Sequence, residues 1–368
     1  MKAYCAKEAL LNGVNTVQRA VSSKNTLPIL QGICVKATGQ ALIFEGTDLE
    51  LGIRCQVPAQ VVQEGVAVLP SRLFADIVRK LPDTTISLEL VDDKVNFNYY
   101  QSNLAIKSYD PEEFPLMPDL LNSTSFSLPA RLLKNMIRQT VFACSTDESR
   151  PVFTGVLVQV DGPAIRFVGT DTHRLAYYAA NIDNPDGVKF HGIVPAKTFG
   201  EIYRLLREED ENIAISFNDA QIFFEFGPVQ LLSRLIEGQF PNYNQVIPRS
   251  CQTKIKIKAR EFEDAVERAS LVAREGSGRV NIVKLKIEDQ LLNIEQTTDI
   301  GKISEQVDIE KQGNDLAIAF NAKFLLDVLK VVDSEDVLFE LSGPISPGVI
   351  RPMDETDYLY LVLPVRNA

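Results

Sequence analysis

The chain repeats one short segment three times. Residues 44–49 read FEGTDL, residues 167–172 read FVGTDT and residues 294–299 read IEQTTD. Successive copies start about 125 residues apart, so three such lengths account for all 368 residues. A period of this length is typical of an independent domain rather than of a solenoid unit. The sequence therefore predicts three tandem domains of one fold, at 1–122, 123–251 and 252–368.

A second segment follows the first in each copy. It reads VLPSRLFADIVRKL from Val68, IVPAKTFGEIYRLL from Ile193 and AFNAKFLLDVLKVV from Ala319. Apolar residues at helical spacing predict two helices in each copy, and alternating apolar residues predict strands around a turn at Gly-Thr-Asp. The order helix, strands, helix, strands predicts an α+β fold, with Pro129 at the start of a helix. The six predicted helices are 7–20, 71–81, 130–140, 196–207, 259–271 and 322–330.

Composition excludes several classes of protein. No segment reaches the roughly 18 uninterrupted apolar residues of a membrane span, and the opening MKAYCAKEALLNG does not resemble a signal peptide. Both observations predict a cytoplasmic protein. The five cysteines lack a C-x-x-C spacing, which argues against a disulfide framework and a thiolate metal site and favours small buried thiols. We expect neither a cofactor nor a metal.

Positive charge is concentrated on the predicted helices. They carry 15 basic and 8 acidic side chains, whereas the rest of the chain carries 23 and 41, for a net charge of −11. If the helices share one side, that side attracts a polyanion while the remaining surface stays acidic. The alternative is that these are ordinary solvated helix faces. The helical cations considered as phosphate contacts are Arg72, Arg79, Lys80, Arg131, Lys134, Arg138, Lys197, Arg204 and Arg207.

Helix packing limits how such a chain could surround a duplex. Six helices spaced at about 10 Å form a ring about 19 Å across, with only about 9 Å of clear bore. Twelve helices leave about 28 Å, enough for a duplex roughly 20 Å wide. One chain is therefore too small to encircle DNA, whereas two chains joined head to tail would suffice if the rotation between them closes a ring.

Five motifs occur in register along the whole chain: TLPIL at 26–30, GTDLE at 46–50, TDTHRLA at 170–176, FPNY at 240–243 and LVLPVR at 361–366. With three α+β domains, they resemble the bacterial DNA polymerase III β subunit family, the sliding clamps. The resemblance implies a homodimeric ring of six domains, with helices lining the hole and sheets outside. It also implies a non-catalytic processivity factor of DNA replication. The implied partners are duplex DNA without sequence specificity, the polymerase III catalytic subunit, the clamp loader and other proteins with a clamp-binding motif.

The resemblance also implies a pocket for a partner peptide with apolar anchors. By motif, its residues are Phe153, Thr170, Thr172, His173, Arg174, Leu175, Pro241, Val246, Asn321, Phe324, Ile345, Leu361, Val362, Leu363, Pro364, Val365 and Arg366. Without the resemblance, the apolar members would be assigned to core packing. Three departures bear on peptide preference: Thr172 stands where glycine is common, Gln245 where many members have a basic residue, and 342–352 is rich in proline and glycine.

For DNA, the resemblance implies contacts at Lys24, Arg72, Arg150 and Lys197, where phosphate contact needs only positive charge within reach. Asp147, near Arg150, would weaken that contact. The implied dimer seam joins the first domain of one chain to the third of the other. There Leu104 and Ile106 would face Leu271 and Val272, and the alternative is that these four residues belong to ordinary core.

Three other functions were considered. An enzyme is disfavoured because the chain has only two histidines, and it lacks phosphate-loop and zinc-protease motifs. Asp171 beside His173 is weak evidence for a triad, which depends on proximity in space. Three repeats exclude the two-domain, trimeric clamp of archaea and eukaryotes. A peptide-binding scaffold that does not encircle DNA is the remaining alternative, and the basic helices argue against it.

Overall fold

A computed structural model of the chain describes residues 1–22, 27–115, 117–118, 124–207, 211–275, 281–298, 301–353 and 357–365. Within these ranges each copy consists of two α-helices and eight or nine strands, and the fold is α+β. The helices are α1 Lys7–Val17, α2 Ser71–Lys80, α3 Ala130–Thr140, α4 Ala196–Leu205, α5 Ala259–Glu275 and α6 Ala322–Leu329.

The strands follow the same order in the three copies. The first copy has β1 Lys2–Ala6, β2 Gly32–Thr38, β3 Ala41–Thr47, β4 Leu51–Pro58, β5 Gln60–Gln63, β6 Gly65–Pro70, β7 Thr85–Val91, β8 Lys94–Tyr99 and β9 Ser102–Lys107. The second has β10 Thr124–Pro129, β11 Gly155–Asp161, β12 Ala164–Thr170, β13 Arg174–Asn181, β14 Phe190–Pro195, β15 Asn212–Phe217, β16 Gln221–Phe226 and β17 Val229–Arg234. The third has β18 Thr253–Lys258, β19 Ile282–Glu288, β20 Leu291–Thr297, β21 Lys302–Asp308, β22 Glu310–Gly313, β23 Leu316–Asn321, β24 Asp336–Leu341, β25 Gly348–Pro352 and β26 Tyr358–Val362.

The first of two compact units comprises Met1–Arg131 and Gly200–Leu235. It contains an antiparallel sheet of order β5-β1-β7-β8-β9 and another of order β10-β15-β16-β17-β4-β3-β2-β6. The larger sheet runs from the first copy into the second, because β4 pairs with β17 from Leu51↔Ser233 to Cys55↔Val229. Helix α1 packs against β3 and β4 and lies beside α2.

The second unit comprises Leu132–Phe199 and Ile236–Ala368. Its nine-stranded sheet has the order β14-β11-β12-β13-β26-β25-β24-β18-β22, and its four-stranded sheet has the order β21-β20-β19-β23. Here β13 of the second copy pairs with β26 of the third, from Arg174↔Val362 to Tyr178↔Tyr358. Helix α5 packs on β20 and β21 and lies beside α6.

Apolar spacing explains which face of each helix is buried. In α2, Phe74 and Val78 lie one turn apart and are fully buried, and the Phe74 ring lies 5.7 Å from that of Phe97. Arg72 and Arg79 lie on the opposite, exposed face. Burial of one such aromatic or branched side chain stabilises the fold by about 1.5–3 kcal/mol. Helix α2 thus directs these two cations to solvent because its apolar stripe is buried.

The structure confirms two helices per copy and corrects their surroundings. Each copy opens with a strand (β1, β10 or β18) rather than with a helix, because its alternating residues extend an existing sheet. Pro129 is the last residue of β10 and directly precedes α3; it has no N–H to continue the ladder. Helix α1 ends at Val17 and a 3-10 turn, Gln18–Ala20, completes the predicted segment. Helix α5 continues past residue 271 to Glu275.

Composition led to expectations about membrane spans and about the cysteines. None of the helices in the described ranges is both long and apolar enough to cross a membrane. All five cysteines are free thiols, and four of them are buried. Burial raises the pKa of the Cys144 thiol to about 12. Cys251 is exposed, so the prediction of small buried thiols is wrong for that residue.

Candidate functional site

A turn between β12 and β13 presents the second-copy motif. The Asp171 carboxylate accepts hydrogen bonds from the backbone N–H groups of His173, at 2.9 Å, and Arg174, at 3.1 Å. The Thr170 hydroxyl donates to the Arg174 carbonyl at 2.6 Å. Between these bonds Thr172 has a φ of 77°, in the left-handed region that favours glycine. The turn therefore holds a β-branched residue in a strained conformation at its tip.

The first copy builds the same turn between β3 and β4. The Asp48 carboxylate accepts hydrogen bonds from the backbone N–H groups of Glu50, at 3.1 Å, and Leu51, at 2.8 Å. Leu49 has a φ of 78°. Thus the shared Gly-Thr-Asp sequence specifies the turn, because an aspartate side chain can bond to the backbone two and three residues on. The side chains that follow the aspartate differ and give the two turns different surfaces.

Arg174 follows this turn and is almost completely buried, with 5% of its side chain exposed. Its Nε donates to the Asp171 carboxylate at 2.9 Å, and its Nη1 donates to the Asp327 carboxylate on α6 at 2.5 Å. Its Nη2 donates to the Phe142 carbonyl at 2.7 Å. A buried guanidinium is tolerated only with such partners. Arg174 therefore joins the second copy to the third rather than presenting a free charge.

Aromatic rings surround this guanidinium. The Arg174 Cζ lies 4.6 Å from the centroid of the Phe324 ring, which also stacks on the exposed His173 ring at 6.4 Å. The Tyr360 hydroxyl donates to the Phe324 carbonyl at 2.9 Å, and burial raises the pKa of Tyr360. Burial opposes the charge of Arg174, but Tyr360, Asp327 and Asp171 raise its pKa overall. The cation is thus held in its charged form beneath the surface.

The C-terminal strand completes the same region. In the β13–β26 ladder Leu175 faces Leu361, and beyond the ladder the Leu363 N–H donates to the His173 carbonyl at 2.9 Å. The Val365 N–H donates to the Ala319 carbonyl at 2.8 Å. The chain end up to residue 365 is therefore fixed by backbone bonds beside the turn.

The predicted pocket residues divide by exposure. Leu175, Leu361 and Val362 are buried, so they form core beneath the surface and offer no contact area of their own. Three large apolar members are exposed to solvent instead. The exposed fraction is 51% for Val246, 68% for Ile345 and 37% for Leu363. Large apolar side chains left in contact with water are candidate anchors for a partner.

The remaining pocket residues have mixed roles. Phe153 is half-buried, with its ring edge 6.3 Å from Phe240. Pro241 is exposed and Pro364 is half-buried. The Asn321 carboxamide accepts from the Lys323 N–H at 3.0 Å and caps α6. Arg366 lies outside the described residues. We call the exposed and half-buried members at 153, 172–173, 241, 246, 324, 345 and 363–365 the partner surface.

The predicted phosphate contacts lie on exposed helix faces or loops. Arg72, Lys80, Arg131, Arg150, Lys197, Arg204 and Arg207 are exposed, whereas Lys134 and Arg138 are half-buried. Several of the cations interact with side chains of their own unit. Arg79 pairs with Asp76 at 2.9 Å and Arg204 with Glu201 at 2.5 Å. Arg138 pairs with Asp333, and Arg207 donates to Asn12 at 2.9 Å. Lys24 lies outside the described residues.

Asp147 lies in the loop that precedes Arg150. Its carboxylate accepts a hydrogen bond from the Ser149 N–H at 3.0 Å, and that bond lowers the pKa of Asp147. The Arg150 charge lowers it further. Asp147 therefore stays ionised and keeps a negative charge beside this predicted phosphate contact.

Both predicted sides of the dimer seam lie on accessible elements. Strand β9 is the edge of the five-stranded sheet, and Leu104 on it is half-buried. Ile106, in contrast, is buried within its own unit, which follows the alternative reading of ordinary core. Leu271 on α5 is 53% exposed. Val272 follows it on α5, and its side chain lies outside the described part of the chain.

Sequence reasoning missed the acidic partner of Arg174. Aligning the second helices places Asp76, Glu201 and Asp327 at one position, so an acidic residue there recurs in all three copies. That recurrence was a signal available in the sequence. Burial of Arg174 was not, because it depends on strand pairing between residues far apart in the chain. No group of potential metal ligands occurs within the described ranges.

Comparisons with known proteins agree along the whole chain. Sequence models of the DNA polymerase III beta subunit match its N-terminal domain at 1–118, its central domain at 127–242 and its C-terminal domain at 244–366. The beta sliding clamps of Staphylococcus epidermidis and Bacillus subtilis are each 34% identical, over 98% and 100% of both chains. A crystal structure of the Bacillus subtilis DNA polymerase sliding clamp superposes with a TM-score of 0.97, at 33% identity and complete coverage of both chains.

The chain belongs to the bacterial DNA polymerase III beta subunit family, the sliding clamps. This membership confirms the resemblance inferred from the repeated motifs, the three α+β clamp domains and the function of a DNA sliding clamp in replication.

Proposed function

We propose that two copies of this chain close into a ring around duplex DNA and hold the replicative polymerase on it. The observation that carries the proposal is the threefold repeat of a helix pair, in which α2 buries Phe74 and Val78 and exposes Arg72 and Arg79. Two chains supply twelve such helices, the number that leaves a bore of about 28 Å. The three domains of each chain are placed at 1–122, 123–251 and 252–368.

The proposed seam joins two edge strands. Strand β9 pairs only with β8 among the described strands, and β21 pairs only with β20. Each therefore presents backbone groups that another copy could pair with. Helix α5, which packs on β21, carries Leu271, whose side chain is 53% exposed. A head-to-tail contact between β9 of one copy and β21 of the other would occur twice in a closed dimer, at two equivalent seams.

The proposed DNA contacts are non-specific. Arg72, Arg131, Arg150 and Lys197 are exposed, and phosphates require no particular side-chain geometry beyond charge within reach. Exposed ion pairs such as Arg79–Asp76 are worth about 0.2–1 kcal/mol, so a phosphate can replace the carboxylate at little loss. Contacts of this type permit sliding, because each step along the duplex exchanges one phosphate for an equivalent one.

The partner surface is proposed to bind a peptide with apolar side chains. Val246, Ile345 and Leu363 supply exposed apolar area, and the half-buried Phe153 and Phe324 supply aromatic area. Aromatic and apolar anchors of this kind dominate peptide recognition. The partners are the polymerase III catalytic subunit, the clamp loader and other proteins with a clamp-binding motif. The chain itself is proposed to be non-catalytic and to act in the cytoplasm.

Primer extension on a long single-stranded circle tests this function. The polymerase, the loader and the chain are combined with excess competitor primer-template, so that each product reports a single binding event. We expect full-length products only when the chain is present. Products of equal length with and without it would contradict the proposal.

Deletion of residues 363–368 tests the partner surface. The deletion removes Leu363 and the backbone bonds to His173 and Ala319, so we expect binding of the isolated polymerase subunit to be lost. The proposed seam is untouched, so native mass spectrometry should still report a dimer. A matched deletion of Asn367 and Ala368 alone should retain binding. Unchanged polymerase binding by the longer deletion would contradict the assignment of the surface.

A further inference from the structure

Asp327 occupies the acidic position of the second helix in the third copy. In the first copy the same position is Asp76, which is exposed and pairs with Arg79 on its own helix at 2.9 Å. Asp327 is more buried and receives Arg174 from the second copy at 2.5 Å. A position that is a local helix pair in one copy has therefore become a tertiary link in another.

The link fixes the plane of a guanidinium. Arg174 donates from Nε to Asp171, from Nη1 to Asp327 and from Nη2 to the Phe142 carbonyl. Three bonds from three nitrogens leave a planar group no freedom to rotate. With its plane fixed, the guanidinium lies with Cζ 4.6 Å from the centroid of the Phe324 ring.

Phe324 transmits this position to the surface. It is half-buried and stacks on the exposed His173 ring, with 19° between the ring planes. The His173 carbonyl in turn accepts the Leu363 N–H at 2.9 Å. Arginine, phenylalanine, histidine and the chain end thus form one contiguous arrangement that starts at Asp327.

We propose that Asp327 is a positioning residue for the partner surface. It acts through Arg174 and Phe324 rather than by touching the bound peptide, and so determines how well the surface is preorganised. The inference rests on the proposed peptide-binding function of that surface. It adds Asp327, a half-buried residue of α6 that is not part of the partner surface, to the residues that determine affinity for the polymerase.

Asp327→Asn tests the proposal without leaving a buried charge unpaired. Arg174 keeps its bonds to Asp171 and Phe142, and the exposed Lys323, 3.2 Å from Asp327, returns to water. Binding is measured by surface plasmon resonance on the immobilised polymerase III catalytic subunit, without DNA. We expect Asp327→Asn to weaken binding about tenfold, because an ion pair with the guanidinium is replaced by a weaker hydrogen bond from the same guanidinium to a neutral amide oxygen. Asp327→Glu should restore most of the affinity, and Asp76→Asn is the matched control and should bind like the parent chain.

A double variant separates positioning from general destabilisation. If Asp327 acts through the ring, Asp327→Asn should have little further effect in a Phe324→Leu background. Melting curves check that all variants remain folded at the assay temperature. Parent-like binding by Asp327→Asn, or fully additive effects in the double variant, would overturn the inference. Failure of the parent chain itself to bind the polymerase would instead contradict the proposed function.

Discussion

Thr172 and Arg174 show how far single residues could be predicted. The departure from glycine at 172 was visible in the sequence, and the structure gives its physical meaning, a φ of 77° for a β-branched residue. For Arg174 the resemblance predicted a member of the peptide pocket, and the structure shows its side chain buried between two carboxylates. A turn can be predicted from the local sequence because its hydrogen bonds join residues only two or three positions apart. Burial depends on which distant strands pair, and that information is spread along the chain.

Thr172→Gly should stabilise the second unit. Glycine adopts a positive φ without the clash of Cβ, and relief of about 1–3 kcal/mol of strain exceeds the roughly 0.5–1 kcal/mol of extra chain entropy. We expect a melting temperature about 2–4 °C higher in a thermal unfolding scan. Thr172→Ala is the control, because it keeps Cβ and therefore the strain. A glycine variant no more stable than the alanine variant would show that the turn is not strained.

At the scale of elements, one glycine distinguishes the copies. A Cβ on Gly46 would lie 2.5 Å from the Val17 carbonyl oxygen, and one on Gly169 would lie 2.4 Å from the Thr140 carbonyl oxygen. In both copies the first helix ends at that carbonyl. The third copy has Gln296 at this position, and its first helix, α5, continues to Glu275. The extension carries Leu271, so the copy that departs from the repeat supplies one side of the proposed seam.

The sequence predicted all six helices and both bounds of α3, but it did not predict where α1 and α5 end or the strands that open each copy. Helix periodicity is a strong signal over ten or more residues. Short strands such as β5 and β22 carry four residues each, too few for a pattern to stand out, and they exist because a neighbouring strand offers free backbone groups. The difference in length between α1 and α5 likewise reflects the strand beneath the helix rather than the helix sequence alone.

Gly169→Ala should destabilise the second unit. The added methyl group meets backbone rather than a flexible side chain, so helix α3 or strand β12 must shift, at about 1–3 kcal/mol. Gly200→Ala is the matched control inside α4, where the nearest atom, Arg204 Nη1, is 4.0 Å away. There alanine should stabilise by about 0.5–1 kcal/mol. Denaturant unfolding measures both changes, and equal stability of the two variants would contradict the close approach.

At the scale of the whole molecule, the proposed ring requires two chains. Leu271→Glu places a charge on an exposed residue of the proposed seam, so folding should be unaffected while association is lost. Native mass spectrometry at micromolar concentration should report a dimer for the parent chain and a monomer for the variant. Leu73→Glu, at an equally exposed leucine on α2, should remain dimeric. A dimeric Leu271→Glu variant would place the seam elsewhere.

Retention on closed DNA distinguishes a ring that encircles the duplex from a protein that only binds to it. The chain is loaded onto a nicked circular duplex by the clamp loader, and half of the sample is then cut once with a restriction enzyme. Gel filtration measures how much protein remains with each DNA. A ring held by topology should stay on the circle, leave the cut DNA and be retained again when bulky proteins block both ends. Equal retention on circular and cut DNA would contradict encirclement.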